Sequence, residues 1–504
     1  MNRGQMRLSP TCNLENVVRH RFVFGAVLFV LLGARFASAA ERPNILLVLC
    51  DDLGYGDLGC YGHEVVQTPN IDKFAAQGLR LTDCYAAAPN CSPSRTGMMT
   101  GRTPYRVGVY NWIPFLSPIH VRESELTIAK LLQGNGYDTC HVGKWHLNGW
   151  FNLPSQPQPG DMGFDHWFST QNNALPNHRN PYNFVRNGIP AGPLEGYASK
   201  LVADEAIRWL DDRSGEKPFF IYCCFHEPHE PIATSPEFSS LYGNGEQPSL
   251  EAHHGNITQM DTAFGRLMKY LDDHKLADNT LVLFTSDNGP AMTRWHPHGS
   301  TDCLREYKGH MYEGGIRVPG IVRWPGRIKP GTESDEPVCG VDFLPTLCEV
   351  SQTKLPNDRI LDGASFVPVF SGKPVKRTRP LYWQFNYAGS APRVAIRDGD
   401  WKLTAELDIN DQGNLTDITD EQMQQLKTAR PVSYELFNLR EDRSESHNVS
   451  SQHPEKFESM KRILNAYYKE VQEEGPVWPA WEWPRYEGKR IEWPSYPKPD
   501  LPRK

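Results

Sequence analysis

Three short apolar runs, each followed at once by acidic or imidazole side chains, limit what this chain can fold into. They read NILLVLC at 44–50, PFFIYCCF at 218–225 and TLVLFT at 280–285. None alternates apolar with polar residues, so each predicts a strand buried on both faces, as in a parallel sheet covered by helices. The intervening segments 123–135, 197–213 and 257–274 carry apolar residues at helical spacing. Strands alternating with helices predict an α/β fold with a large, mostly parallel sheet. After about residue 375 the pattern changes. Short strands are expected at 382–385, 393–397, 401–404 and 434–439, with an Asp398-Gly399-Asp400 turn between the second and third. One amphipathic helix is expected over 455–474, with Phe457, Met460, Ile463, Leu464 and Tyr467 on its apolar face. The expected organisation is an α/β domain over 40–375, an antiparallel-sheet subdomain with a covering helix over 376–474, and a Trp/Pro-rich tail over 475–504. For Trp478, Trp481, Trp483 and Trp493, packing on the body is preferred to a sugar-stacking role.

The first 39 residues read as an export signal. Arg19, His20 and Arg21 precede the apolar run 22–32, and Ala37-Ser38-Ala39 offers a small-residue cleavage site. That run falls short of the ~20 residues that cross a bilayer, and no Cys follows it to carry a lipid. An uncleaved anchor is the competing reading. Cleavage removes five arginines and one glutamate, taking the net charge from −7 to −11. An acidic chain of this kind is not a general nucleic-acid binder, and no later segment looks membrane-spanning. An anion would need a local cluster of cations. The hydrophobic share of 39% excludes a disordered chain, and 41 prolines predict long loops. Ten of the eleven cysteines lie beyond residue 39, scattered and without CxxC or zinc spacing. Cys223-Cys224 is expected to pack as two small apolar residues, and no pairing can be read.

Ligands in open α/β sheets bind beyond the carboxyl ends of the strands. Asp51-Asp52 follows the first run, His226 and His229 follow the second, and Asp287-Asn288 follows the third. Three carboxylates converging on one rim repel unless a cation joins them, and oxygen ligands select calcium or magnesium over zinc. A second element, Cys91-Ser92-Pro93-Ser94-Arg95, reads as a helix start with Ser92 as N-cap and Pro93 at the first helical position. It sets Cys91 beside exposed amide N–H groups that favour an anion. A third, GYDTCHVGKWH at 136–146, would put Lys144 and His146 on one face if extended. A fourth, KGHMYEGGIRVP at 308–319, is a Gly-rich loop carrying Lys308.

Together CSPSR with its TGMMTGR continuation, GYDTCHVGKWH, DDLGYGD and YEGGIRVP resemble the sulfatase family, in its arylsulfatase A and N-acetylgalactosamine-6-sulfatase types. The resemblance runs from Pro43 to about Glu474 and implies an alkaline-phosphatase-like α/β fold with a smaller C-terminal sheet. It implies that Cys91 is oxidised to formylglycine by a separate maturation enzyme. One hydroxyl of the hydrated aldehyde would attack sulfur as the ester alcohol leaves, and the other would then lose its proton and expel sulfate. It further implies one calcium ion bound by Asp51, Asp52, Asp287 and Asn288 and contacting the modified Cys91. Arg95 would stabilise the hydrate, and Lys144 and Lys308 would hold the sulfate and bridging oxygens. His146 would serve as base and His229 as acid to the leaving group, with His226 the weaker candidate.

Two rivals share the fold: a phosphate or phosphonate monoester hydrolase, and a glycan-binding protein that has lost the chemistry. The substrate expected by family analogy is a sulfated glycan or amino sugar, ahead of a small aryl sulfate. Arg294, Trp295, His296 and His298 form one candidate subsite, and Asn172, Asn173, His178 and Arg179 another. The expected location is exported: periplasmic or secreted, or lysosomal in a eukaryote. Asn256, Asn414 and Asn448 head glycosylation sequons, meaningful only in a eukaryotic secretory host.

Overall fold

The computed structural model of the protein describes residues 42–495, apart from 388, 390, 410–415 and 486. The expected export signal and the Asn414 sequon lie outside the described residues. The three apolar runs are strands: β1 (Asn44–Asp51), β4 (Phe219–Pro228) and β5 (Thr280–Ser286). With β2 (Asp138–Lys144), β3 (His166–Thr170) and β6 (Gly320–Arg323) they form the centre of a ten-stranded sheet. Its central order is β6-β5-β1-β4-β2-β3. The neighbours from β5 to β3 pair in parallel, while β6 is antiparallel to β5. Short strands close both edges.

Because successive side chains on a strand point to opposite faces, β1 feeds two cores. Ile45, Leu47 and Leu49 join one apolar layer, and Leu46, Val48 and Cys50 join the other. On the second face lie α2 (Ala198–Asp212) and α3 (Pro248–Asp273), which contribute Val202, Ala206, Ile257, Met260 and Phe264. The helix expected at 257–274 therefore begins nine residues earlier. Pro248 is tolerated in its first turn, while buried polar residues such as His253, His254 and Asn256 hide its apolar periodicity. The helix expected at 123–135 is shorter, Ile128–Gly134, because the Thr127 hydroxyl caps it by accepting the Lys130 N–H. Asn256 is fully buried, so its sequon is closed to glycosylation, whereas Asn448 is exposed.

A second, antiparallel sheet runs β7 (Leu381–Phe385), β8 (Arg393–Asp398), β9 (Trp401–Leu407), β10 (Pro431–Asn438), in chain order. The expected turn closes β8 onto β9, pairing Asp398 with Trp401. Helix α4 (Pro454–Glu474) covers it with Met460, Leu464, Tyr467 and Tyr468, while Ile463 faces solvent. Val394, Ile396 and Leu403 join the same apolar layer as Ile45 and Leu47. The Trp383 indole N–H donates to the Ala86 carbonyl at 2.8 Å. Lys402 Nζ, fully buried, bridges Glu313 at 2.9 Å and Glu445 at 2.8 Å. Among the described residues no disulfide forms, and no helix is long and apolar enough to cross a membrane.

Candidate active site

Strand ends build the site. β1 stops at Asp51, where its register with β4 shifts, and Asp52 adopts φ +66°. Extended backbone would send consecutive carboxylates to opposite faces of the sheet. The left-handed turn, which aspartate tolerates better than most residues, keeps both together. β5 leads directly into Asp287 and Asn288, the loop after β4 carries His229, and β2 ends on Lys144. Gly143 sits at φ +99°, where an added Cβ would lie 1.8 Å from the Cys224 carbonyl oxygen. Only glycine lets β2 come that close to β4. His146 is also left-handed, at φ +57°. The shared extended face expected for Lys144 and His146 is therefore replaced by a turn, after which both still reach the site.

Cys91 comes from the other side, on α1 (Cys91–Thr100). The N-cap is Asn90, whose side-chain oxygen accepts the Cys91 N–H at 2.8 Å. This corrects the start expected at Ser92 and Pro93. The Ser92 hydroxyl is directed elsewhere, accepting the Ile113 N–H at 3.0 Å. Pro93 then falls third in the helix, still within the turn whose amides have no intrahelical acceptor. Cys91 Sγ lies 3.6 Å from Asp51 Oδ1. One ligand atom from each of Asp51, Asp52, Cys91 and His229 falls within 4.8 Å of every other.

Each carboxylate is matched by a cation. Lys144 Nζ lies 2.6 Å from Asp51, Lys308 Nζ 2.6 Å from Asp52, and Arg95 Nη2 2.8 Å from Asp287 and 3.8 Å from Asp51. Asn288 Nδ2 donates to Asp52 at 2.7 Å, but its buried Oδ1 has no donor among the described residues. Burial alone would raise the Asp51 carboxyl, yet Lys144, with His229, Arg95 and Lys308, holds it well below the usual carboxylate range. Burial and then the Asp51 charge push Asp287 up to about 7, against Arg95. The oxygen donors Asp51, Asp52, Asp287 and Asn288, with an orphaned amide oxygen and a carboxyl resisting ionisation, fit a hard divalent cation.

The titrating side chains are equally constrained. Burial pushes the Cys91 thiol up to about 12 despite Lys144 and Lys308, so at neutral pH it is protonated and a poor nucleophile. Burial, reinforced by Lys144 and Arg95, holds His146 well below its ordinary range. Its Nε2 lies 3.1 Å from the Ile113 carbonyl, which can only accept, so the proton sits there and the unpartnered Nδ1 keeps its lone pair. Burial also lowers His229, against the pull of Asp51 and Asp52. A pocket of about 360 Å³ opens over these groups, lined by Cys91, His146, His229 and Lys308 together with Asn172 and Asn173.

Comparison with known proteins decides the family. Residues 43–353 match the sulfatase family model, and residues 307–429 match that of the N-sulphoglucosamine sulphohydrolase C-terminal region. Arylsulfatase A of Homo sapiens is 35% identical over 406 residues, 75% of this chain and 78% of that protein. N-acetylgalactosamine-6-O-sulfatase of Bacteroides thetaiotaomicron is 30% identical over 495 residues, 85% and 93% of the two chains. The crystal structure of Ps i-CgsB in complex with k-i-k-neocarrahexaose superposes with a TM-score of 0.75 at 27% identity, covering 89% of this chain and 97% of that one. The chain belongs to the sulfatase family. It is a sulfuric ester hydrolase.

In this sulfatase the structure brings Asp51, Asp52, Cys91, Arg95, Lys144, His146, His229, Asp287, Asn288 and Lys308 to one site. His226 stays inside β4, 2.8 Å from the Thr170 hydroxyl, and is absent from the pocket lining. The two candidate subsites divide. Asn172 and Asn173 line the pocket, whereas His178 is buried 4.0 Å from Glu227 and Arg179 is exposed. Arg294, Trp295, His296 and His298 are absent from the lining: His296 is held 2.7 Å from Glu230, and His298 3.0 Å from Ser249. Sequence reading missed Asn90 and Trp112, which stand in no recognisable motif. It also set Trp483 and Trp493 on the body, and these two line the pocket.

Proposed function

We propose that this sulfatase is an exported enzyme that removes sulfate from sulfated carbohydrates, with Cys91 matured to formylglycine as its reactive group and calcium as its metal. The observation that carries the reading is the position of Cys91. It heads a helix with its sulfur 3.6 Å from Asp51, inside the pocket and among the charged groups that a sulfuryl transfer needs. A buried, protonated thiol is inert there, and a thiolate that took up sulfate would have no second oxygen through which to release it. The hydrated aldehyde supplies both an attacking hydroxyl and a second hydroxyl whose deprotonation expels sulfate.

Asp51, Asp52, Asp287 and Asn288 would hold the calcium ion, which supplies positive charge beside Cys91 and a sulfate oxygen. Lys144 and Lys308 hold sulfate oxygens and stabilise the charge that develops on the bridging oxygen. Arg95 orients the reactive side chain. His146 takes the proton of the second hydroxyl through Nδ1, its free nitrogen. His229 has Nδ1 against the Glu230 carbonyl, which fixes a proton there, so it serves as acid to the leaving alcohol only as the imidazolium, with the second proton on Nε2, 3.7 Å from Asp52.

The names of relatives support the carbohydrate class: one curated relative is an N-acetylgalactosamine-6-O-sulfatase, and Ps i-CgsB was solved with a neocarrahexaose. Two measurements test the reading. Mass spectrometry of the peptide containing Cys91 from natively expressed protein is expected to show aldehyde in place of thiol. Turnover of 4-nitrophenyl sulfate is expected to exceed that of 4-nitrophenyl phosphate. The reverse order moves the chain's principal activity to phosphate monoesters, and an unmodified Cys91 in active enzyme removes the mechanism. Desulfation screened across chondroitin, heparan, carrageenan and fucoidan oligosaccharides assigns the substrate.

A further inference from the structure

The Trp/Pro-rich tail begins as an anchored strap. The Trp478 indole N–H donates to the Gly108 carbonyl at 2.7 Å, and Trp481 exchanges two backbone hydrogen bonds with Ile418, at 2.8 and 2.9 Å. The Trp483 N–H then donates to Asp417 Oδ1 at 2.9 Å, and the Glu492 N–H to the Pro176 carbonyl at 3.0 Å. Trp483, Gly488, Ile491 and Trp493 line the same pocket as Cys91 and His229. The Trp483 ring stands edge-on to Trp112, at 5.5 Å between centroids and 88° between planes. Trp112 in turn lies 6.4 Å from His146.

Packing on the body accounts for Trp478 and Trp481 but not for Trp493. Trp493 is 46% exposed and lines the catalytic pocket together with Trp483 and Ile491, and exposed apolar surface gathered at a cleft marks a ligand-binding groove. A polar group of the right kind lines the same pocket. Asn172 is 7% exposed, lines the pocket, and its Oδ1 has no hydrogen-bond donor among the described residues. Asn172 and Asn173 also line a second pocket of about 190 Å³, to which the tail contributes Arg490, so the cavity continues past the first binding position.

We propose that Trp483, Gly488, Ile491 and Trp493 form a carbohydrate-binding wall of the active site, in which Trp483 and Trp493 receive the apolar face of a pyranose ring and Asn172 accepts one of its hydroxyls. The chemistry suits both sides. The C–H face of a sugar ring carries slight positive charge and meets the negative face of an indole, while its hydroxyl donors need acceptors once water is expelled. Aromatic walls with a few placed polar groups are the usual construction of such sites. This inference rests on the reading of the chain as a carbohydrate sulfatase, and it adds that the tail sets preference for the sugar beyond the ester.

The test compares wild type with Trp483→Ala, Trp493→Ala and Trp493→Phe. Each is assayed on 4-nitrophenyl sulfate and on the chondroitin, heparan, carrageenan or fucoidan oligosaccharide that wild type desulfates fastest. The ratio of kcat/KM for oligosaccharide to kcat/KM for 4-nitrophenyl sulfate is expected to fall about ten-fold in each alanine variant, mainly through KM. Trp493→Phe is expected to recover most of the ratio. Asn172→Asp, which keeps an acceptor, is expected to lower the ratio less than Asn172→Leu. An unchanged ratio, or equal loss on both substrates with a lowered unfolding midpoint, makes the tail a structural strap and overturns the inference alone. Turnover of 4-nitrophenyl sulfate by wild type with none of the four oligosaccharides desulfated overturns the carbohydrate reading and this inference with it.

Discussion

Arg95, Lys144 and Lys308 each sit on a carboxylate that the proposed metal also needs, so at the residue scale metal and substrate binding are linked through shared partners. A divalent ion held by Asp51 and Asp52 would weaken their hold on the two ammonium groups and free those groups for sulfate. Lys308→Met should therefore act in two directions. It is expected to lower kcat/KM for sulfate esters by roughly 10²–10³-fold, the usual cost of one charge-stabilising group, while calorimetric titration shows tighter calcium binding. Looser calcium binding would show that Lys308 helps to build the metal site. Cys91→Ala is expected to reduce turnover by roughly 10³-fold or more, with calcium affinity retained. Chelation should abolish activity reversibly. Calcium restored to about a hundred times its dissociation constant should add about 2.7 kcal/mol of stability, read from the unfolding midpoint.

At the scale of elements, two devices hold the site in place. Gly143 lets β2 deliver Lys144 against β4. Gly143→Ala forces a Cβ onto the Cys224 carbonyl at a left-handed φ, and is expected to cost several kcal/mol in urea unfolding and to lower sulfatase activity with it. The other device is the buried Glu313–Lys402–Glu445 cluster that ties β9 to the segment behind Lys308. Lys402→Met leaves the buried Glu445 without its cation, while Glu313 keeps Arg317 at 3.1 Å, and a loss of about 3–5 kcal/mol is expected in the same experiment. β1, β4 and β5 could be read because they are buried on both faces and so carry unbroken apolar runs. β2 (DTCHVGK) was seen only as a motif, since its inward polar residues are paid for by partners far away in sequence, such as Ser169 on His141 at 2.6 Å. The metal-site carboxylates could be placed from their positions after strands, whereas their common orientation depends on a left-handed Asp52 that no spacing encodes. Trp112, Trp483 and Trp493 meet only in three dimensions, and nothing local distinguishes them from tryptophans that simply pack.

For the whole molecule, the acidity of the chain and the gathering of Arg95, Lys144 and Lys308 at one site are compatible because charge is arranged locally, and the same holds for its response to acid. A group of imidazoles lies away from the pocket, where His254 packs against His63, Tyr242, His253 and His298 at 5.3–6.1 Å between centroids. Burial, with the neighbouring His63 and His298, lowers His254 to about 3, and burial with His296 lowers His298 to about 4. A histidine in the unfolded chain titrates at about 6.5. Between those values the unfolded state binds protons that the folded state refuses, so stability falls as pH falls, by up to about 1.4 kcal/mol per pH unit for each such group. Buried carboxyls work in the opposite direction. Burial raises Asp57 to about 7 and Asp261 to about 6, so their folded forms hold protons that the unfolded chain releases above about pH 4. The two effects overlap in mildly acidic solution, and a single pH curve of the wild type cannot separate them. A difference between variants can. His254→Asn removes one refusing group and leaves the carboxyls in place, so its unfolding free energy should decline less steeply than that of wild type between pH 6.5 and pH 4. Parallel declines in urea titrations across that range would show that His254 takes up its proton without disturbing the fold.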